Sequence, residues 1–287
     1  MRKIKDIFDY INLIILSAGL FLVIVPFYYV IVKSFITSQE WTLSGGMIWW
    51  PRKPTLENYI GIFDTGRMLS GFINSLFYTV VGVIYSMFLT VTLAYGLSKK
   101  DFPGRNLVQN VVVIAMFFDG GMVTFFLVVK SLGLIGSRWA EILPLGLNLF
   151  NTIIMRSFFE SIPAEMEEAA VVDGAGPFTI FTRIHLPLVK HGMAILLLYY
   201  AVERWNEWFF QSLFIGDAKK WSIQLVLRQV LSQTVTFTRM ITHTGKEPFS
   251  EGIKAAAVIV SIVPIMCVFP FVQKYFAKGV MVGAIKS

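Results

Sequence analysis

Of 287 residues, 55% fall in the hydrophobic set and only 15% are charged, whereas an ordinary soluble domain carries about 25% charged residues. That balance excludes a water-soluble globule, and the long apolar blocks read as lipid-facing segments. Spans of roughly 20 residues for a hydrocarbon core ~30 Å thick use up the chain in about six crossings. The net charge of +7 comes without any basic run longer than a pair, which excludes a nucleic-acid surface and fits attraction to a membrane surface.

The first span is predicted over Ile11–Val32, uncharged and preceded by Arg2, Lys3 and Lys5. Its 22 residues exceed the apolar run of about 7–15 residues in a secretory signal, and no small-x-small cleavage site follows, so it reads as an uncleaved helix. The second, Phe72–Leu97, has no charge in 26 residues. The third, Leu107–Val129, has one charge, Asp119, beside Gly120 and Gly121. The fourth, Trp139–Met155, carries Glu141 near one end and Asn148 and Asn151 within. The fifth, Gly192–Gly216, holds Glu203-Arg204-Trp205-Asn206-Glu207-Trp208. After it, Trp221–Leu231 is expected to form an interfacial helix or a packed lid. The sixth, Ala255–Val272, includes Pro264, Pro270 and the only cysteine, Cys267, so no intramolecular disulfide is possible. His185, His191 and His243 have no Cys or carboxylate at zinc-ligand spacing, and no metal site is predicted.

Charges inside a bilayer cost at least ~2.5 kcal/mol each, so Asp119, Glu203, Arg204 and Glu207 require partners or a wet cavity. On a continuous helix, positions 203, 206, 207 and 210 share one face, with Gln211 at its margin and Arg204 just beyond. Arg204 either pairs with Glu207 at i,i+3 or contacts a ligand. At ~1.5 Å rise per residue, 203–207 lie about 20–26 Å above Lys190 and Asp119 about 18 Å above Leu107, so both groups can border one cavity. Asn148 and Asn151 either line it or hydrogen-bond neighbouring helices.

The stretch Ser161–Pro187 is too polar at its start to cross a bilayer and is punctuated as two short helices. Pro163 suits a first turn, Glu165, Glu167 and Glu168 complement a helix N-terminus, and Gly174 stands where a left-handed residue ends a helix. Pro177 starts the second helix and Pro187 is expected to end it. Ala169 and Ala170 leave a smooth patch for close approach by another protein.

Glu168-Ala169-Ala170, three residues, Gly174, nine residues, Ile184-x-Leu186-Pro187 resembles the EAA loop of ABC importer permeases. The resemblance extends to the sugar-importer permeases related to the maltose system's shorter permease, in their complex-oligosaccharide branch. It is carried further by Pro54-Thr55-Leu56-Glu57-Asn58-Tyr59, by Trp205-Asn206-Glu207-Trp208 and by the end Phe271–Lys286. One departure is Thr124, where that branch has a proline, which puts the shape of the third span in question.

The resemblance implies an all-α, polytopic, type I importer bundle, a single permease domain over 1–287 with a cytoplasmic coupling loop at 161–187. Glu168, Ala169, Ala170, Asp173, Gly174, Ile184, Leu186 and Pro187 would meet the ATPase, while Asp119, Asn148, Asn151, Glu203, Arg204, Asn206, Glu207 and Gln211, singled out above by charge, helical facing and depth, are expected to line the substrate path. It also implies a homologous second permease as heterodimer partner, two cytoplasmic ATPase subunits binding ATP and Mg, and an extracytoplasmic sugar-binding protein. The cell membrane would hold the chain with both termini cytoplasmic. Cations on the two sides are balanced at twelve each, so this orientation rests on the loop and on the Arg2, Lys3, Lys5 cluster. No catalytic residue or cofactor is expected in the chain itself: the nearest approach to a P-loop, Gly245-Lys246-Glu247, lacks the earlier glycine and the hydroxyl. The rival from another class is an ion-coupled secondary carrier using Asp119, Glu203 and Glu207 as proton or cation sites. Such a carrier has no need of the 161–187 loop.

Overall fold

A computed structural model describes residues 7–118, 120–232 and 249–284. Asp119, the N-terminal cluster Arg2, Lys3 and Lys5, His243, the Gly245–Glu247 stretch and the final Ile285-Lys286 lie outside the described residues. Within them the structure is helical and no strand occurs. In chain order the helices are α1 (Ile7–Ser34), α2 (Ser38–Leu43), α3 (Glu57–Asp64), α4 (Arg67–Ser98), α5 (Arg105–Phe117), α6 (Gly121–Ser131) and α7 (Trp139–Ile142). They continue with α8 (Leu149–Glu160), α9 (Ala164–Val172), α10 (Pro177–Leu188), α11 (Lys190–Asn206), α12 (Phe209–Phe214), α13 (Ile223–Ser232) and α14 (Ser250–Ala284). The chain forms two compact units, Met1–Leu69 with Val226–Val263 and Ser70–Leu225 with Pro264–Ser287.

In the first unit, the apolar side chains of α1 from Ile7 to Ile24 are exposed on all sides, as suits a helix whose solvent is hydrocarbon. Its C-terminal end is instead built into a core of Val32, Ile36, Ile48 and Phe249. The segment Pro54–Tyr59 locks that end. Asn58 Nδ2 donates to the carbonyls of Ser34 (3.0 Å) and Ile36 (2.9 Å), and the Tyr59 hydroxyl meets Ser34 Oγ at 2.7 Å. A helix end leaves four carbonyls without partners, and a buried end must find them in side chains. Lys33 Nζ, 2.6 Å from Glu251, holds the start of α14 to the same end.

The second unit is organised around α4. Its buried residues Ser75, Tyr78, Val83, Ser86, Met87, Thr90, Val91 and Ala94 follow a helical stripe, while Ile73, Leu76, Val80, Ile84 and Phe88 make the exposed stripe opposite. The small polar members act as interhelical fasteners: Ser75 Oγ accepts from Ile223 N at 2.9 Å and Thr90 Oγ1 meets the Tyr200 hydroxyl at 2.6 Å. One apolar cluster joins α4 to Met155, Phe159, Leu196 and Tyr200, and another joins it to Val129, Ile142, Phe214 and Ile215.

Among the described residues, three helices are long and apolar enough to cross a membrane unbroken: α1, α4 and Ser250–Cys267 of α14. The other three predicted spans are interrupted. The third stops at Phe118, which is extended, and restarts through Gly121 at φ +77°. The fourth shrinks to the single turn of α7, because Pro144 cannot donate a helical hydrogen bond, and resumes at α8 behind an Asn148 cap. The fifth breaks at Glu207, whose backbone is extended (φ −69°, ψ 121°). The segment Trp221–Leu231 is helical from Ile223 onward as α13, with Ile223, Val226 and Val230 buried.

Candidate functional site

The coupling loop is built from its glycine outward. Gly174 has φ +80°, a region in which a β-carbon is costly and glycine is not. Its N–H donates to Val171 O (3.0 Å) and that of Ala175 to Ala170 O (2.9 Å), the paired bonds that close a helix through a left-handed residue. α9 therefore ends where the spacing predicts, with Asp173 as its C-cap. Glu165, Glu168 and Ala169 stand exposed, as do the apolar Met166, Val171, Val172 and Phe178. Ala170 departs from the expected smooth patch: it is buried at 9% exposure. Ile184 and Leu186 are half-buried and Pro187 is exposed.

Pro187 does not end the second helix. The helical run continues to Leu188, and the chain then bends by 76° into α11. What the proline changes is the turn before it. Residues Ile180–His185 are a π-helix, and a proline at 187 both lacks an N–H and crowds the carbonyl four residues back, at Arg183, which lies in that wider stretch. Beneath the loop, Lys99 Nζ pairs with Glu167 Oε2, and His185 Nε2 lies 3.4 Å from the same carboxylate and 3.5 Å from Lys99 Nζ.

In the membrane region, the break after Asn206 divides the face predicted for positions 203–210. Glu203 and Asn206 are exposed, and Asn206 Nδ2 donates back to Val202 O at 2.9 Å. Glu207 is half-buried, its Oε1 accepting from Phe210 N at 2.8 Å at the start of α12. Arg204 points away from the exposed pair and is only 3% exposed.

The Arg204–Glu207 ion pair is not formed among the described residues. Arg204 Nη1 donates to Glu141 O (3.0 Å), and Nη2 donates to Ser86 Oγ (3.2 Å) and to Leu145 O. The guanidinium thus supplies donors to carbonyls freed where α7 ends. Gln211 is also taken up inside the protein, donating to Glu141 Oε2 at 2.5 Å and accepting from Ser222 N at 2.7 Å. Gly82 makes the room, since a β-carbon there would sit 3.2 Å from Arg204 Cδ and Nε.

Asn148 is an N-cap, its Oδ1 accepting from Asn151 N at 3.1 Å, and Asn151 is buried at 3% exposure. Glu141, noted in the fourth span but not counted among the intramembrane charges that need partners, is fully buried at the centre of this cluster. Its signal was present: a carboxylate in one apolar span and an arginine in another each require a partner.

Residues 1–282 match a family described as binding-protein-dependent transport system inner membrane component. The chain belongs to that family. It is a multi-pass membrane permease of the ABC importer type. Protein LplC of Bacillus subtilis (strain 168) is 42% identical over 286 residues, covering 99% of this chain and 97% of that protein. The polygalacturonan/rhamnogalacturonan transport system permease protein YtcP of the same organism is 41% identical over 266 residues, covering 92% of this chain and 93% of that protein. Among solved structures, a bacterial ABC transporter involved in the import of the acidic polysaccharide alginate matches with TM-score 0.88 at 29% identity, covering 96% of this permease and 99% of that chain. The ion-coupled carrier finds no support in these matches.

Proposed function

We propose that this permease imports acidic, uronate-containing oligosaccharides, delivered by an extracytoplasmic binding protein and driven by ATP hydrolysed on separate subunits. The observation that carries the coupling half is the 161–187 loop, an exposed helix–turn–helix whose apolar residues Val172 and Phe178 are 87% and 78% exposed. Exposed apolar side chains beside carboxylates mark a protein-binding face, and one of the two ATPase subunits carrying ATP and Mg fits it. This face is cytoplasmic in the reading, which puts both termini inside. The chain has no catalytic role of its own, works as one permease domain, and pairs with a homologous second permease.

The acidic substrate class is supported by the similarity to a permease named for polygalacturonan and rhamnogalacturonan and to a transporter of alginate. Arg204 does not carry it, because its guanidinium is engaged with main-chain carbonyls. Of the path residues expected on α11, Glu203 and Asn206 are exposed, and they suit sugar hydroxyls rather than carboxylates.

The test is uptake into vesicles holding the full complex, with labelled oligogalacturonate, a neutral oligosaccharide and a peptide. ATP- and binding-protein-dependent uptake of the oligogalacturonate is expected. Uptake of the neutral sugar alone moves the substrate class. Uptake that survives ATP depletion with the ion gradient intact restores the carrier reading.

A further inference from the structure

The base of the coupling loop contains a polar cluster that docking to an ATPase does not require. Lys99 follows the last turn of α4, Glu167 lies on α9, and His185 closes the π-helical stretch of α10. Lys99 Nζ pairs with Glu167 Oε2, and His185 Nε2 approaches both groups at 3.4–3.5 Å. The cluster has an aromatic floor. The Tyr95 ring centroid lies 4.5 Å from Phe181, 5.3 Å from His185 and 5.4 Å from Phe159, and Lys99 Nζ sits 4.9 Å from the Tyr95 ring. His185 is 4% exposed, and its Nδ1 has no hydrogen-bond partner among the described residues.

We propose that Lys99 and His185 are positioning residues that hold α9 to the end of α4 through Glu167, so that movement of the docking helix is passed to the span that organises the second unit. The inference rests on the ATP-driven reading above. The Lys99–Glu167 pair is half-exposed, so it adds little to stability of the fold, and its consequence is geometric. Glu167 faces inward on the helix whose Glu165 and Glu168 face outward, which separates the carboxylate that grips the bundle from those free to meet a partner. π-helical turns are concentrated at functional positions, and here the wider turn brings His185 to the pair.

The cluster is also sensitive to protons. Facing His185 are Tyr95 from α4, Lys99 just after it and Glu167 from α9, while α8 contributes the ring of Phe159. Burial first, and then Lys99, lower the His185 pKa below its usual 6.5, with Glu167 opposing. Protonation would place a second cation beside Lys99 and make donors of both ring nitrogens, with Nδ1 buried and unpartnered. A depressed histidine pKa leaves the clamp fully formed above 6.5 and weakens it as pH falls through the folded-state value.

The experiment measures oligosaccharide uptake per ATP hydrolysed in the reconstituted complex, with membrane abundance and ATPase co-purification alongside. Lys99→Glu and Glu167→Lys are each expected to lower that ratio about tenfold at normal abundance and co-purification, and the double reversal to restore it to within about threefold. Wild type is expected to keep full coupling above pH 6.5 and to lose it as pH falls below that value, and His185→Gln to match wild type above 6.5 and to flatten the profile below it. Should a charge reversal accumulate poorly, Lys99→Met and Glu167→Gln test the same link, with a lowered ratio expected in both. A double reversal no better than the singles, an unchanged ratio in both neutral variants, or a wild-type pH profile in His185→Gln overturns the clamp. A wild-type complex without ATP-dependent uptake overturns the parent reading and the clamp with it. A wild type that transports, with no rescue in the reversal, removes the clamp alone.

Discussion

The loop at 161–187 and the cluster around Arg204 use similar materials, carboxylates beside a cation and small residues at close approaches, and deploy them in opposite ways. In the loop, helix ends are closed by backbone geometry: Gly174 turns left-handed, the main chain satisfies its own carbonyls, and Glu165 and Glu168 stay in water. Around Arg204 the helix ends meet a buried cluster of Glu141, Arg204 and Gln211, where freed backbone groups must be met from within the protein. Side chains are therefore spent on the main chain. Arg204 serves Glu141 O and Leu145 O, Asn148 serves Asn151 N, and Glu207 serves Phe210 N. An intramembrane polar residue is thus as much a sign of a broken helix as of a ligand.

The contrast breaks most sharply at Arg204 itself. In Arg204→Met, Glu141 O, Leu145 O and Ser86 Oγ lose their donor and the buried Glu141 carboxylate loses its nearby cation. Leaving a buried acceptor without its donor costs about 1–3 kcal/mol, and this change strands several at once. Thermal unfolding of the purified permease should show a strong loss of stability and membrane levels should fall, with partial recovery when Glu141→Gln is added. Wild-type stability in the single variant would reject the supporting role.

Gly82 tests the same cluster from the opposite wall. Gly82→Ala puts a β-carbon 3.2 Å from Arg204 Cδ and Nε, and an overpacked site of this kind costs about 1–3 kcal/mol. The loss should shrink in an Arg204→Met background, where a narrower and more flexible side chain faces the new methyl. Equal losses in both backgrounds would show that the helix at Gly82, and not the guanidinium, sets the requirement.

At the loop the expected change is smaller and of another kind. A β-carbon on Gly174 meets nothing within 4 Å, so only its φ of +80° resists substitution. A left-handed residue bearing a side chain costs about 1–2 kcal/mol, which can displace α10 without touching membrane insertion. Gly174→Leu should reach the membrane at normal levels and fail to retain the ATPase, with Gly174→Asn milder because Asn tolerates this conformation. Co-purification of the ATPase with Gly174→Leu at wild-type yield would sink the prediction.

The same contrast explains what could be read in advance. Gly174, Pro177 and the acidic first turn of α9 act through local geometry, so spacing alone located them. α1 and α4 were visible as uncharged runs of adequate length, and the buried and exposed stripes of α4 follow helical period. The breaks at Phe118, Pro144 and Glu207 were hidden because each whole segment is long and apolar enough to read as one span; two depend on what fills the gap from elsewhere in the chain, such as Arg204 reaching Leu145 O or Ser222 Oγ reaching Glu207 O at 3.2 Å. The helical arithmetic that placed 203, 206, 207 and 210 on one face failed for that reason. It assumed a continuous helix where the chain turns extended at Glu207.

Glu207 yields the finest test, because its carboxylate has two readings with different chemistry. As a cap it needs only an acceptor oxygen for Phe210 N, which glutamine also has, whereas an ion site needs the charge. Glu207→Ala should cost about 1 kcal/mol, as loss of a capping acceptor does. Glu207→Gln should stay within a few tenths of a kcal/mol of wild type, roughly the scatter of tolerated surface changes. Transport should follow the same order, with ATP-driven uptake by Glu207→Gln close to wild type. A glutamine variant that folds normally and loses uptake would assign Glu207 a charge-dependent role in the path, and the polar residues at the end of α11 would then serve the substrate as well as the backbone.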